Sequence, residues 1–327
     1  MRAMTTMSGV TDVASLAAAS ATFGGSNSFH WNLIEDFRQM WSFAFFQHGF
    51  EAGTVVAVVA GVIGYFVVLR RSAFAGHALS HIGFAGAAGA VVLGLDPLWG
   101  LLVLCLGAGG VIGALGQRLR GRDTVIGIVL AFSLGLGALF LSLYHGNDAN
   151  EAVSILFGEI LGVSVGDVVL TLVIGVAALG LICVMYRPLL FASVDEDVAE
   201  ARRVPVRLLS IAFMMTLALA VAVAVQVVGV LLIFALLVTP AAIAERVTRR
   251  PGRAIAVSVG VALFSTWLGL AISWYSSYPV SFFIVTIAFV LYVVVRLVPV
   301  VAGLRRPAAE PEVPVQPIDE PSDPSIG

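Results

Sequence analysis

The chain has no lysine among its 327 residues, and only 12% of it is charged. Without lysine it cannot form the GxxxxGK[ST] loop that grips a nucleotide phosphate, so it does not hydrolyse ATP by that route. The HExxH pair of a zinc peptidase is also missing. There are two cysteines, Cys105 and Cys183, each alone in an apolar run with no CxxC partner. That pattern excludes a thiolate cage and reads as two small apolar side chains. No extended basic face is present, which excludes nucleic acid as a partner. The first thirty residues carry no compact apolar core before a cleavage site and read as a flexible leader.

What remains is apolar. The chain is 59% hydrophobic with a mean hydropathy of +1.01, and its apolar runs approach the roughly 20 residues needed to cross a bilayer. These features predict an all-α polytopic membrane protein lying in a lipid bilayer, with about nine spans. The expected spans are 52–69, 74–95, 97–117, 124–143, 166–186, 206–225, 227–244, 254–274 and 280–298.

If the spans alternate, one side receives Arg70, Arg71, the arginines of 118–122, Arg187, Arg202, Arg203, Arg207, those of 246–253, Arg296, Arg305 and Arg306. Only Arg2 and Arg38 of the 18 basic residues are left for the other side. Such asymmetry predicts a cytoplasmic arginine side, with the N-terminus outside and the C-terminus inside. The opposite side receives Asp96, the stretch HGNDANE at 145–151, Glu159 and Asp167. An acidic mouth of this kind concentrates cations.

Three regions follow. Residues 1–50 form an external leader and an interfacial aromatic segment, with Trp31, Phe37, Trp41, Phe45 and Phe46 at near-helical spacing between His30 and His48. Residues 51–300 form the transmembrane domain. Residues 301–327 are Pro-rich and acidic, too poor in bulky apolar side chains to order themselves, and are expected to be a disordered cytoplasmic tail.

The chemistry centres on His77 and His81. Positions i and i+4 share a helix face, so two imidazoles converge there, about 15 Å into the membrane for His81. Polar groups at that depth usually face a bundle interior or a water-filled path. Two ligands fall short of the four zinc usually takes, and hydrogen bonding to carbonyls is the structural alternative. Ser80 beside His81 cannot serve as a nucleophile for it, because adjacent helical residues diverge by about 100°. Weaker ligand candidates are His145 and Asp148 in an external loop, beside Glu151, and Glu245 at the end of the seventh span. Met214 and Met215, being adjacent, point apart and make no soft-metal pair.

Residues 187–207 are the longest arginine-side connection. Their middle predicts a short helix: Asp195, Glu196 and Asp197 near its positive end, Ala199 and Ala201 inside, Arg202 and Arg203 at its negative end, and Pro205 as a stop.

Four ordered stretches together resemble the permease subunits of the zinc, manganese and iron ABC importers, the ABC-3 family. RRSAFAGHALSHIGFAGAAGA is similar to its second-span motif, in which an aspartate, two residues, serine and histidine precede a Gly-containing run. SILFGEILGVSVGDV at 154–168 resembles its external-loop motif, SVDEDVAEARRVPV at 193–206 its cytoplasmic helix, and VVGVLLIFALLVTPAAIAERVTRR at 227–250 its seventh-span signature. The likeness runs from about Val55 to Val298.

The resemblance implies a permease fold similar to the vitamin B12 and iron-chelate importers, in a bacterial cytoplasmic membrane. It implies a second copy of the chain, a cytoplasmic ATP-binding subunit docked on Asp195 to Arg203, and an external metal-binding protein. His77 and His81 then match the metal-path pair, the metal is cargo with no permanent cofactor, and ATP is used by the partner. The chain itself is expected to be a non-catalytic transport subunit.

His77 stands where an aspartate is common, which favours zinc over manganese. Arg203 stands where glycine is frequent, which predicts altered capping or a different ATPase contact. Manganese or iron import, and a proton-coupled secondary transporter using the histidines, are the alternative readings.

Overall fold

The computed structural model describes residues 38–115, 122–143, 158, 160–276 and 278–304, and they contain helices but no strand. In chain order these are α1 (Ala44–Leu69), α2 (Ala73–Val92), α3 (Pro97–Leu115), α4 (Arg122–Leu143), α5 (Val165–Val194), α6 (Glu196–Ala201), α7 (Val206–Val247), α8 (Pro251–Ser273) and α9 (Val280–Leu304).

Close contacts fix how the helices run. α2 and α3 are antiparallel: Gly86 faces the carbonyl of Gly100 so closely that no Cβ fits at either position, and the Cys105 thiol reaches the Leu79 carbonyl at 3.4 Å. α1 and α8 are also antiparallel, with Gly53 on Thr266 and Gly61 on Val259. Ser258 donates to the Gly61 carbonyl at 2.8 Å, and the Trp267 indole N–H donates to Thr54 Oγ1 at 2.9 Å. α4 runs parallel to α2, through Gly137 on Ala85 and Phe140 on Gly89. α5 runs parallel to α1, with Val55 and Val59 against Gly175 and Phe66 against Tyr186.

This arrangement gathers Arg70, Arg71, Arg187, Arg202, Arg203, Arg207, Arg246, Arg249, Arg250 and Arg253 at one end of the bundle, the arginine end. The sequence led to that segregation, although which side of a membrane it faces is a separate matter.

α7 lies at the centre: 72% of its most apolar window is buried, against 11% for α9. It spans 42 residues, and Gly229 (φ 80°, ψ 166°) is non-helical inside it. Ile211 packs on Gly113 at the end of α3, while Leu237 packs on Gly64 and Gly76 beside the α1–α2 turn, so both lie toward the arginine end. A straight helix would separate residues 211 and 237 by about 39 Å. The two halves therefore fold back on each other with Gly229 at the apex.

Among the described residues seven helices are long and apolar enough to cross a membrane, fewer than the expected nine. Two physical reasons account for the difference. The expected spans 206–225 and 227–244 both lie within α7, which counts as one helix although Gly229 folds it back between them. α2 falls short of the others in apolarity because His77, His81 and its glycines interrupt it.

α1 also begins earlier than expected, at Ala44. Phe43 and Phe46 pack on Trp274 after α8, with ring centroids at 5.5 and 5.4 Å, and Phe46 stacks on Phe50 at 5.1 Å. That cluster holds the aromatic segment against the bundle and lets the helix start eight residues sooner. The expected leader to residue 37 and the tail after residue 304 lie outside the described residues.

Candidate metal path

α2 positions both histidines because its small residues allow neighbouring helices to approach. Ala75, Gly76, Ala78, Leu79, Ser80 and Ile82 are buried, while His77 and His81 stay half-buried on one face. Their ring centroids are 4.6 Å apart and nearly perpendicular, at 80°. Phe234, from the second half of α7, meets the His77 ring edge to face at 4.8 Å. His77 Nδ1 is buried with no hydrogen-bond partner among the described residues. The alternative of histidines fastened to carbonyls therefore fails at that atom. Ser80 is occupied by its own helix, donating to the His77 carbonyl at 2.7 Å.

Among the described residues no third histidine, cysteine or carboxylate joins the pair. Glu245 is exposed near the end of α7 and is not brought to the histidines. His145, Asp148, Glu151 and Glu159 lie outside the described residues. The pair can thus offer two imidazole nitrogens to a cation, with further ligands coming from elsewhere.

The profile of the ABC 3 transport family matches residues 42–298. The chain belongs to the ABC-3 family. It is 34% identical over 220 residues to the manganese transport system membrane protein MntC of Halalkalibacterium halodurans, covering 67% of this chain and 75% of that one. It is 26% identical to the high-affinity zinc uptake system membrane protein ZnuB of Buchnera aphidicola, covering 71% and 89%. Among solved structures it resembles PsaBC from Streptococcus pneumoniae in complex with Fab, with a TM-score of 0.72 and 32% identity over 80% of this chain and 95% of that one.

In this ABC-3 chain α6 forms where the sequence places it. Asp195 caps it, Oδ1 accepting from Val198 N–H at 3.0 Å. Ala199 is the buried anchor, while Asp195, Glu196, Asp197, Ala201, Arg202, Arg203 and Pro205 are exposed. The C-terminus departs from the expectation of altered capping. Arg203 N–H donates to the Glu200 carbonyl at 2.9 Å and Val204 N–H to the Ala199 carbonyl at 3.0 Å, the paired bonds of a Schellman cap. Arg203 itself takes the left-handed φ of 63° that glycine normally supplies. Pro205 is the N-cap of α7, so the cap on Arg203, not the proline, ends α6.

Two features escaped the sequence reading. The GxSxG spacing of a nucleophile elbow does occur, at Gly162–Gly166, yet Ser164 is the N-cap of α5. It accepts from Asp167 N–H at 3.3 Å in a reciprocal capping box. Its hydroxyl is bound to the Asp167 carboxylate at 2.7 Å, so it serves helix initiation. The other feature is Gln226, whose amide donates to Asp167 Oδ1 at 3.2 Å. That bond ties the start of α5 to the residues just before the α7 apex. Only the isolated amide in an apolar run hinted at it.

Proposed function

We propose that this chain is the membrane-spanning permease subunit of an ATP-driven importer of a divalent transition metal, with zinc as cargo. The observation that carries this reading is the half-buried His77–His81 pair on a helix inside an ABC-3 chain. Membership of an ABC family supports ATP as the energy source and weighs against a self-sufficient proton-coupled carrier. The missing lysine requires that ATP be bound by a partner subunit. Its docking surface is α6 with its flanks, Asp195 to Pro205, whose exposed charges surround one buried anchor.

In this reading the arginine end is cytoplasmic, in keeping with the positive-inside bias. The metal arrives from an external binding protein, and a second copy of the chain completes the path. Import then requires ligands strong enough to replace water and weak enough to release. The two imidazoles match zinc better than harder ions, which prefer oxygen.

A manganese reading has its own support, since MntC is named a manganese transport protein. Reconstituted uptake with the cognate ATPase and binding protein, comparing zinc, manganese and ferrous iron, decides between them. Zinc preference is expected. Single replacements of His77 and His81 by alanine are expected to lower uptake roughly tenfold or more with the complex still assembled. Loss of assembly alone would make the pair structural, and uptake without ATP would sink the ATP-driven reading.

A further inference from the structure

A neutral imidazole carries one N–H, and when its bare nitrogen binds a metal the other nitrogen holds the proton. Metal-binding histidines almost always donate that N–H to a carboxylate, a carbonyl or water, which fixes the ring and strengthens the ligand. His77 breaks the pattern. Its Nδ1 is buried and has no partner among the described residues, which leaves Nε2 as the atom a cation reaches first. With Nε2 on the metal the proton sits on Nδ1, where no described residue accepts it. The side chain pressed against this ring from α7 is Phe234, at 4.8 Å, and a phenyl ring has no lone pair to offer.

We propose that Phe234 is a positioning residue that keeps metal affinity at His77 low, by orienting the imidazole while denying it a hydrogen-bond acceptor. The inference rests on His77 being a ligand. Its consequence is kinetic: a poorly supported ligand releases its ion quickly, as a transit site needs and a storage site does not. Orientation comes from the edge-to-face ring contact, so the geometry is held without the extra basicity that a carbonyl or carboxylate would confer.

The test places an acceptor where the phenyl ring lies. Phe234→Asn and, as a second acceptor of different reach, Phe234→Gln are compared with Phe234→Leu, which removes the ring and adds no acceptor. Each is assembled with its partner subunits in liposomes, and zinc is the probe for both equilibrium binding and uptake. At least one amide variant is expected to bind zinc about tenfold more tightly and to import it with a lower maximal rate and a lower half-saturating concentration. Phe234→Leu is expected to show no tightening. If both amide variants bind zinc no more tightly than Phe234→Leu, the proposal is overturned. His77→Ala separates the two layers: wild-type binding and uptake in that variant remove the ligand reading itself. A large loss there, with no difference between the amide and leucine variants, removes only the role of Phe234. Co-purification with the ATPase confirms that each variant is folded.

Discussion

Arginine occupies the left-handed position of two helix caps in this chain. Besides Arg203, Arg71 has φ 52° after α1, with Arg71 N–H on the Val68 carbonyl at 2.9 Å and Ser72 N–H on the Val67 carbonyl at 2.7 Å. α2, ending away from the arginines, closes with the same pair of bonds but uses Gly94, φ 69°. A side chain in this conformation costs about 1–2 kcal/mol, partly offset by a cation near a helix C-terminus. Arg203→Gly should therefore raise the stability of the detergent-solubilised chain by about 1 kcal/mol in denaturant unfolding while weakening ATPase docking. Equal docking by both forms would show that the side chain contributes no contact. Sequence could locate this short helix because Asp195 and Pro205 bracket it. It could not foresee the arginine cap, because the usual signal for a left-handed position is glycine.

At the scale of elements, the apex of α7 is held from two sides. Gly158, itself at φ 75°, lies so close to Val228 and the Gly229 amide that no Cβ fits there. Gln226 is tied to Asp167 at the start of α5. Gly229→Ala forces an L-residue into a backbone region reserved for glycine and should cost about 1–3 kcal/mol, measured by the same unfolding assay. Gln226→Leu should leave the Ser164–Asp167 capping box of α5 intact but free Asp167 Oδ1, loosening the apex. Faster amide exchange over residues 158–168 and 225–230 is the expected readout, and unchanged exchange would mean the bond does not restrain the apex. The histidine pair was legible because helical spacing alone puts residues four apart on one face. The Phe234 contact was not, since nothing in a linear sequence joins residues on α2 and α7 before packing is known. The two arms of α7 were legible as the expected spans 206–225 and 227–244, but the turn between them was not, because a single glycine at Gly229 makes it without a loop.

For the molecule as a whole, the separation of charge is the feature most plainly written in the sequence, and the packing of antiparallel helices reproduces it as one arginine end. Its sidedness is open to direct test. In a chain whose own Cys105 and Cys183 are replaced, a cysteine at position 250 should react with a membrane-impermeant thiol reagent only from the cytoplasmic side. One at position 278 should react only from outside, and the reverse pattern would invert the topology.

The folded-back α7 also has a mechanical consequence. Measured from Gly229, Phe234 lies only about 7 Å along the second half, whereas Val247 lies about 27 Å away. If that half tilts as a rigid body about its apex, a displacement at the His77 ring is magnified almost fourfold at the arginine end. A shift of under an ångström beside the His77 ring corresponds to several ångströms near Glu245 and Arg246. The same lever works in reverse: a push delivered at the arginine end reaches the histidines as a small, finely graded adjustment.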